Sequence, residues 1–125
     1  MPDPSPSHRV LLVEDEFIVR LTLAEALSNE GFDVVEASSG DEALVVLRAD
    51  AAIVLLLTDI QLPGSLDGLG LARLAREARP ELPTIFMSGR PEIMDGSASA
   101  RDAFITKPYL PSEVAAAARR LTAGT

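Results

Sequence analysis

Short apolar runs alternate with longer segments of helical spacing along most of the chain, and this alternation restricts the possible folds more than any other feature. The runs are rich in the β-branched and aliphatic residues that favour strands. The predicted strands cover residues 10–13, 33–37, 53–58, 84–88 and 103–107. The predicted helices cover residues 17–30, 40–49, 68–78, a weak segment near 93–100, and 111–122. The sequence therefore predicts five consecutive βα units.

The third run shows how these units pack together. Residues 53–57 are apolar at every position, with no alternation of apolar and polar side chains. This pattern is typical of a parallel strand that helices cover on both faces. We therefore expect an α/β fold built as a three-layer sandwich.

Several residues mark the ends of the predicted helices. Ser39 with Glu42 predicts a capping box at the second helix, Gly31 ends the first helix, and Pro111 begins the last one.

The composition excludes several classes of site and partner. The chain of 125 residues has the size of one domain, and it contains no cysteine, which excludes disulfides and cysteine-based metal sites. Its net charge of −8 disfavours direct binding to nucleic acid or to an anionic membrane. The longest apolar run is too short to span a bilayer. We expect a cytoplasmic protein.

The two ends of the chain differ from the rest. Residues 1–8 contain a proline at every second position from Pro2 to Pro6, with serines nearby, which favours a disordered tail. We expect the folded domain to cover residues 9–122 and residues 123–125 to be frayed. Because the chain stops soon after the last helix, it is expected to be either a single-domain protein or a piece of a longer one.

Polar side chains stand at the predicted carboxyl ends of four strands. Glu14 and Asp15 follow the first strand, and Asp59, Ser88 and Lys107 end the third, fourth and fifth. Taken singly, each has an ordinary explanation as a helix cap, a turn residue or a solvated charge. Ligand sites in open parallel sheets, however, form at this edge. Three carboxylates that converge there repel one another unless they bind a cation.

Magnesium is the cation that suits these ligands, because Mg²⁺ prefers oxygen atoms and keeps several of its waters. Asp15 and Asp59 are candidates for direct coordination. Glu14 has a longer side chain and is expected to act through water, and the backbone carbonyl of Gln61 is a further candidate ligand. A carboxylate can also attack phosphorus to form an aspartyl phosphate. The ammonium group of Lys107 and the hydroxyl of Ser88, at the same edge, would then bind phosphoryl oxygens.

With these residues in place, the sequence resembles the receiver domains of two-component response regulators. The matching stretches are residues 10–16, 57–63 with Asp67-Gly68, 86–89 and 104–109. The resemblance covers about residues 9–122. It implies a flavodoxin-like (βα)5 fold whose parallel sheet has the strand order 2-1-3-4-5, an order for which a receiver protein is a standard example.

The resemblance also implies a role for each candidate residue. Asp59 is the phosphoacceptor, and Mg²⁺ is the cofactor. The other roles are an acidic pair at Glu14 and Asp15, a phosphoryl-binding hydroxyl at Ser88, and a phosphate-binding lysine at Lys107.

Signalling in such a domain passes from the acceptor to a surface. The resemblance implies that Ser88 and Phe104 are switch residues, that the Lys107–Pro108 peptide is cis, and that the fourth helix, fifth strand and fifth helix form the output surface. The expected partners are a histidine kinase or histidine phosphotransfer protein upstream and a protein of unknown identity downstream. We expect a monomer or a weak dimer through the output surface.

Two stretches depart from the common receiver pattern. The loop at residues 63–68 is one residue longer than usual, which affects access to Asp59 without removing a ligand. The segment 90–101 contains Pro91, Gly96 and several serines, so its helix is weakly encoded. We expect residues 89–100 to be the most mobile part of the folded chain.

Two other functions are compatible with an acidic site of this kind. A haloacid-dehalogenase-type phosphatase or phosphotransferase also forms an aspartyl phosphate with Mg²⁺, but such enzymes carry a second Asp where this chain has Gln61. A receiver-like scaffold with a vestigial site is the other alternative. The leading interpretation is a switch that catalyses only its own phosphorylation and dephosphorylation, and so is not an enzyme in the ordinary sense.

Overall fold

The computed structural model describes residues 8–90 and 101–123. Within these ranges the strands are β1 (Arg9–Val13), β2 (Asp33–Ala37), β3 (Ile53–Asp59), β4 (Thr84–Ser88) and β5 (Asp102–Thr106). The helices are α1 (Phe17–Asn29), α2 (Gly40–Ala49), α3 (Gly68–Ala78) and α4 (Pro111–Thr122). No helix in these ranges has both the length and the apolar character that a membrane span requires.

The boundaries of these elements agree with the sequence prediction to within one residue. One difference matters for the site: β5 ends at Thr106, so Lys107 follows the strand and does not close it. The weak helix predicted near residues 93–100 lies outside the described residues, as does most of the segment predicted to be mobile. The helix α4 is therefore the one that the sequence predicted as the fifth.

All five strands are parallel and lie in the order β2-β1-β3-β4-β5. The predicted α/β fold and strand order are confirmed. Because the strands run in the same direction, their carboxyl ends share one edge of the sheet. Residues that follow β1 and β3 are neighbours there, since these two strands pair directly.

Each strand contributes side chains to two separate cores. In β1, Val10 and Leu12 pack with α1 and α4, whereas Leu11 and Val13 pack with α2 and α3. All four side chains are fully buried. Burial on both faces explains why the strands lack a polar alternation, and it makes the sheet the middle layer of a three-layer sandwich.

Local signals at the helix ends behave largely as predicted. The Ser39 hydroxyl accepts the amide of Glu42 at 3.1 Å, but the Glu42 carboxylate accepts the amide of Ser38, one residue before the expected partner. The first of the two hydrogen bonds of the predicted capping box is present, but the return bond goes to Ser38 and not to Ser39. Gly31 follows α1 with a φ of 95°, in the left-handed region that favours glycine, and Pro111 lies in the first turn of α4.

Candidate functional site

Three carboxylates meet at the carboxyl edge of the sheet. Glu14 and Asp15 follow β1, and Asp59 ends the neighbouring strand β3. Each offers one oxygen, and these oxygens all lie within 4.8 Å of one another. Glu14 and Asp59 are buried, whereas Asp15 is exposed. The structure thus brings together the carboxylates that the sequence analysis singled out.

The chain turns back closely on itself after Asp59. The amide of Gly68 donates to the carbonyl of Ile60 at 2.8 Å. A Cβ atom at position 68 would lie 2.2 Å from the carbonyl oxygen of Asp59, so no larger residue fits without moving the backbone. This contact joins the start of α3 to the end of β3 and helps to fix the backbone that carries Asp59.

Lys107 reaches across the edge of the sheet toward two of the carboxylates. Its Nζ atom lies 3.0 Å from Asp59 Oδ2 and 3.7 Å from Glu14 Oε1. Burial alone would lower the pKa of Lys107, but its contacts with Asp59 and Glu14 outweigh that effect and raise the pKa. Lys107 is therefore an ammonium ion at neutral pH. The peptide bond between Lys107 and Pro108 is cis, as predicted.

Even with this lysine, the buried carboxylates are poorly stabilised as anions. Burial is the largest influence on the pKa of Asp59 and raises it; together with the negative charge of Asp15 it outweighs the hydrogen bond and charge of Lys107, which lower the pKa. Burial also raises the pKa of Glu14, although the amide of Glu16 donates to its Oε2 at 3.0 Å and acts in the opposite direction. The negative charge of Asp59 raises the pKa of Glu14 further.

Two buried carboxylate oxygens without hydrogen bonds from the described residues fit a hard cation. Asp59 Oδ1 and Glu14 Oε1 are buried and have no hydrogen-bond partner in the part of the chain that the structure describes. Buried polar atoms normally have partners, and buried carboxylates are commonly paired or bound to metal. Two unsatisfied carboxylate oxygens beside the exposed carboxylate of Asp15 form an oxygen-rich set of the kind that Mg²⁺ prefers.

Ser88 ends β4 at the same edge, and its side chain is fully buried. The hydroxyl accepts the amide of Arg90 at 2.9 Å. It can donate to Gln61 Oε1 at 3.3 Å or to the carbonyl of Arg90 at 3.4 Å. Ser88 is therefore held by the segment that follows β3 and by the residues just after β4.

Phe104, the predicted switch aromatic, lies in the middle of β5 and is partly buried. Its ring stacks on that of Phe86, with the centroids 5.0 Å apart and the planes 18° apart. It packs against the core that α2 and α3 cover. The ring thus contributes to core packing in this structure, and its role in switching stays a prediction.

Arg20 is a supporting residue that the sequence analysis missed. Its guanidinium donates to the carbonyl of Glu14 at 2.8 Å and to Glu36 Oε1 at 3.1 Å. It therefore connects α1 to the end of β1 and to β2. No sequence signal indicates this role, because the contact depends on how the helix lies across the sheet.

Tyr109 is a second residue to which the sequence analysis gave no role. It lines a groove of about 540 Å³ beside α1, and its hydroxyl oxygen is buried with no hydrogen-bond partner among the described residues. Burial, followed by the charges of Glu14 and Asp59, raises the pKa of Tyr109 to about 12. The sequence did offer one indication that Tyr109 lies near the site, because it comes directly after Lys107 and Pro108.

The sequence matches a known protein family. A family model described as the response regulator receiver domain matches residues 10–119. The chain belongs to this family. It is 40% identical over 119 residues to the aerobic respiration control protein ArcA of Escherichia coli, covering 93% of this chain and 49% of that protein. The chain thus spans about half the length of this curated relative. Membership of the receiver family disfavours the interpretation of the chain as a haloacid-dehalogenase-type enzyme.

Solved structures agree with the family. The receiver is similar to a response regulator receiver protein from Sinorhizobium medicae, with a TM-score of 0.84, 31% identity, and coverage of 92% of this chain and 94% of that one. It is also similar to the response regulator TrrA from Thermotoga maritima, solved in complex with Mg²⁺-BeF. That comparison has a TM-score of 0.80 and 26% identity, and it covers 90% of this chain and 97% of the other.

The first prediction concerns the strain between the carboxylates. In the presence of a chelator, Asp59→Asn or Asp15→Asn raises the melting temperature, because each removes one of several like charges. The exposed Glu25→Gln on α1 removes the same charge elsewhere and serves as the control. A gain of about 1 kcal/mol shifts the midpoint of a domain of this size by roughly 3–6 °C. Addition of Mg²⁺ should raise the melting temperature of the wild type, because a ligand that binds only the folded state adds stability.

The pH dependence of these melts provides a second check. The pKa of Asp59 is higher in the folded protein than its ordinary value of 3.8, so the folded state binds more protons. The unfavourable contribution of Asp59 to stability under chelation therefore shrinks as the pH falls from neutral toward that value, and Asp59→Asn removes this part of the pH dependence. If both Asn variants melt below the wild type in chelator, the repulsion argument is wrong.

The second prediction uses Tyr109, which is the sole tyrosine in a chain without tryptophan. Absorbance of the tyrosinate ion should report a pKa near 12 in the folded protein, against an ordinary value of 10.0. Because the pKa of Tyr109 is higher in the folded protein than in the unfolded chain, the protein loses stability as the pH rises from 10.0 to about 12. Tyr109→Phe removes that loss. Asp59→Asn lowers the pKa of Tyr109. An unshifted titration in protein that circular dichroism shows to be folded would contradict this description.

Proposed function

We propose that this receiver accepts a phosphoryl group on Asp59, with the help of Mg²⁺, and signals by changing the surface around β5. One observation supports this proposal most directly. Asp59 is a buried carboxylate with Oδ2 bound to Lys107 at 3.0 Å, while Oδ1 has no hydrogen-bond partner in the described ranges. One oxygen is anchored and the other is available to form a bond.

The chemistry of the step follows from this arrangement. An oxygen of Asp59 attacks the phosphorus of a phosphohistidine on the donor protein, and the P–N bond breaks as the O–P bond forms. The electron pair of the broken bond stays on the imidazole nitrogen. Lys107 offers its ammonium to the phosphoryl oxygens, and Ser88 donates its hydroxyl proton to one of them. Charge-assisted hydrogen bonds of this kind are stronger than neutral ones.

The charges of the site explain why a metal ion is needed. Glu14, Asp15 and Asp59 carry three negative charges against the single positive charge of Lys107, and a phosphoryl group adds about two more. The three carboxylates and the backbone carbonyl of Gln61 would hold Mg²⁺. When bound, Mg²⁺ neutralises charge on the carboxylates and on the oxygens of the transferring group.

Transmission begins at Ser88 and ends at the output surface, which consists of the helix expected after β4, β5 itself and α4. When the hydroxyl turns toward the phosphoryl group, the residues after β4 follow it. Space then opens for Phe104, whose ring moves from partly exposed to buried. Lys107 links the phosphoryl group to the end of β5, so Lys107→Ala should leave the fold intact while separating phosphorylation from output.

The partners follow from the family and from the charge of the chain. Receivers work with histidine kinases or histidine phosphotransfer proteins, and one of these is the proposed donor. The proposed downstream partner is a protein, because a net charge of −8 disfavours nucleic acid and anionic membranes. We place the protein in the cytoplasm. The aspartyl phosphate is lost by slow hydrolysis, so the domain acts as a switch and not as a turnover enzyme.

The third prediction tests this function directly. Intact-mass spectrometry after incubation with acetyl phosphate and Mg²⁺ should show one added phosphoryl group on the wild type and none on Asp59→Asn. The matched control is Asp41→Asn, an exposed aspartate in the first turn of α2, which should be labelled like the wild type. Omission of Mg²⁺ should abolish the labelling. A wild type that binds Mg²⁺ and stays unlabelled would instead support the scaffold alternative, and a label that persists in Asp59→Asn would place the acceptor elsewhere.

A further inference from the structure

The hydrogen bonds of Ser88 leave its proton with a choice of acceptors. The side chain is fully buried, and its oxygen already accepts the amide of Arg90 at 2.9 Å. A hydroxyl has a single proton to donate. Here that proton faces Gln61 Oε1 at 3.3 Å and the carbonyl of Arg90 at 3.4 Å. It cannot serve either of these acceptors and a phosphoryl oxygen at the same time.

We propose that the side-chain amide of Gln61 is a latch that holds the Ser88 hydroxyl in the unphosphorylated arrangement. The inference rests on the proposed function, in which the same proton must be donated to the phosphoryl group. Gln61 is a competitor for that proton. It therefore lowers the affinity of the site for a phosphoryl group or an analogue of one.

The position of Gln61 makes its side chain the adjustable part of this competition. It lies two residues beyond Asp59, on the segment after β3, whereas Ser88 ends β4. The bond between them therefore bridges the ends of two neighbouring strands. Arg90 competes through its backbone carbonyl, which every residue at that position would supply. The side chain of residue 61 is thus the competitor that sequence can change.

The length of the bond sets the size of the expected effect. Hydroxyl hydrogen bonds are normally 2.5–3.0 Å long, and the distance of 3.3 Å to Gln61 lies outside that range. The latch is therefore weak, which suits a bond that each phosphorylation must break. An ordinary neutral hydrogen bond changes an equilibrium by about two- to tenfold, and this longer one should lie toward the lower end of that range. The latch therefore adjusts the response without blocking it.

The fourth prediction is a double-mutant cycle between Gln61 and Ser88. Gln61→Met keeps the length of the side chain and the backbone carbonyl but removes the acceptor. At Mg²⁺ concentrations that saturate each variant, it should bind beryllofluoride about two- to tenfold more tightly than the wild type, as measured by the fluorescence of Tyr109 or by calorimetry. In the Ser88→Ala background the same substitution should have no effect. The exposed Ser65→Ala in the same loop is the control and should bind like the wild type.

The cycle separates the failure of the latch from the failure of the proposed function. If the wild type binds beryllofluoride and Gln61→Met gains nothing or binds more weakly, the latch is wrong and the function stands. An equal gain in the Ser88→Ala background would also overturn the latch, because Gln61 would then act without the hydroxyl. If the wild type binds Mg²⁺ but not beryllofluoride, the proposed function fails and the latch fails with it.

Discussion

The burial of two carboxylates beside a third is the constraint on which the rest of this receiver depends. Glu14 and Asp59 are almost fully buried, yet one lysine is the only ammonium that the described residues bring to them. Lys107 is close to Asp59 and farther from Glu14, so its charge is shared unequally. Taking anions out of water is costly unless opposite charge and hydrogen bonds compensate. The folded protein thus holds a site that gains stability when a cation arrives.

The fold keeps this site together because its supports are rigid. The strands that carry Glu14 and Asp59 pair directly and are covered by apolar side chains on both faces, so the two carboxylates cannot easily move apart. Arg20 ties the end of β1 to α1, and Gly68 allows the chain after Asp59 to pack against its carbonyl. Close-packed protein cores resist small displacements. The stabilisation from the two apolar cores therefore offsets the electrostatic repulsion among the carboxylates at the edge of the sheet.

Much of this arrangement is readable from the sequence, and the reasons are physical. Apolar strands without alternation indicated a sheet covered on both faces, and the shared edge of parallel strands indicated which residues would meet. The contacts of Arg20 and the bond between Gln61 and Ser88 were not predictable in this way, because they depend on loop paths and side-chain rotamers that no periodicity encodes. The Glu42 contact with Ser38 differs from the expected capping box for the same reason.

The most direct test of the account is the coupling of Mg²⁺ binding to proton release. Titration calorimetry of Mg²⁺ into the wild type, in two buffers of different ionisation heat, measures the protons released at about pH 5 and about pH 7. Because burial raises the pKa of both Glu14 and Asp59, binding should release protons near pH 5, release fewer near pH 7, and be weaker at the lower pH. Binding that releases no protons at either pH and has the same affinity at both would show that burial does not raise the pKa of these carboxylates as described.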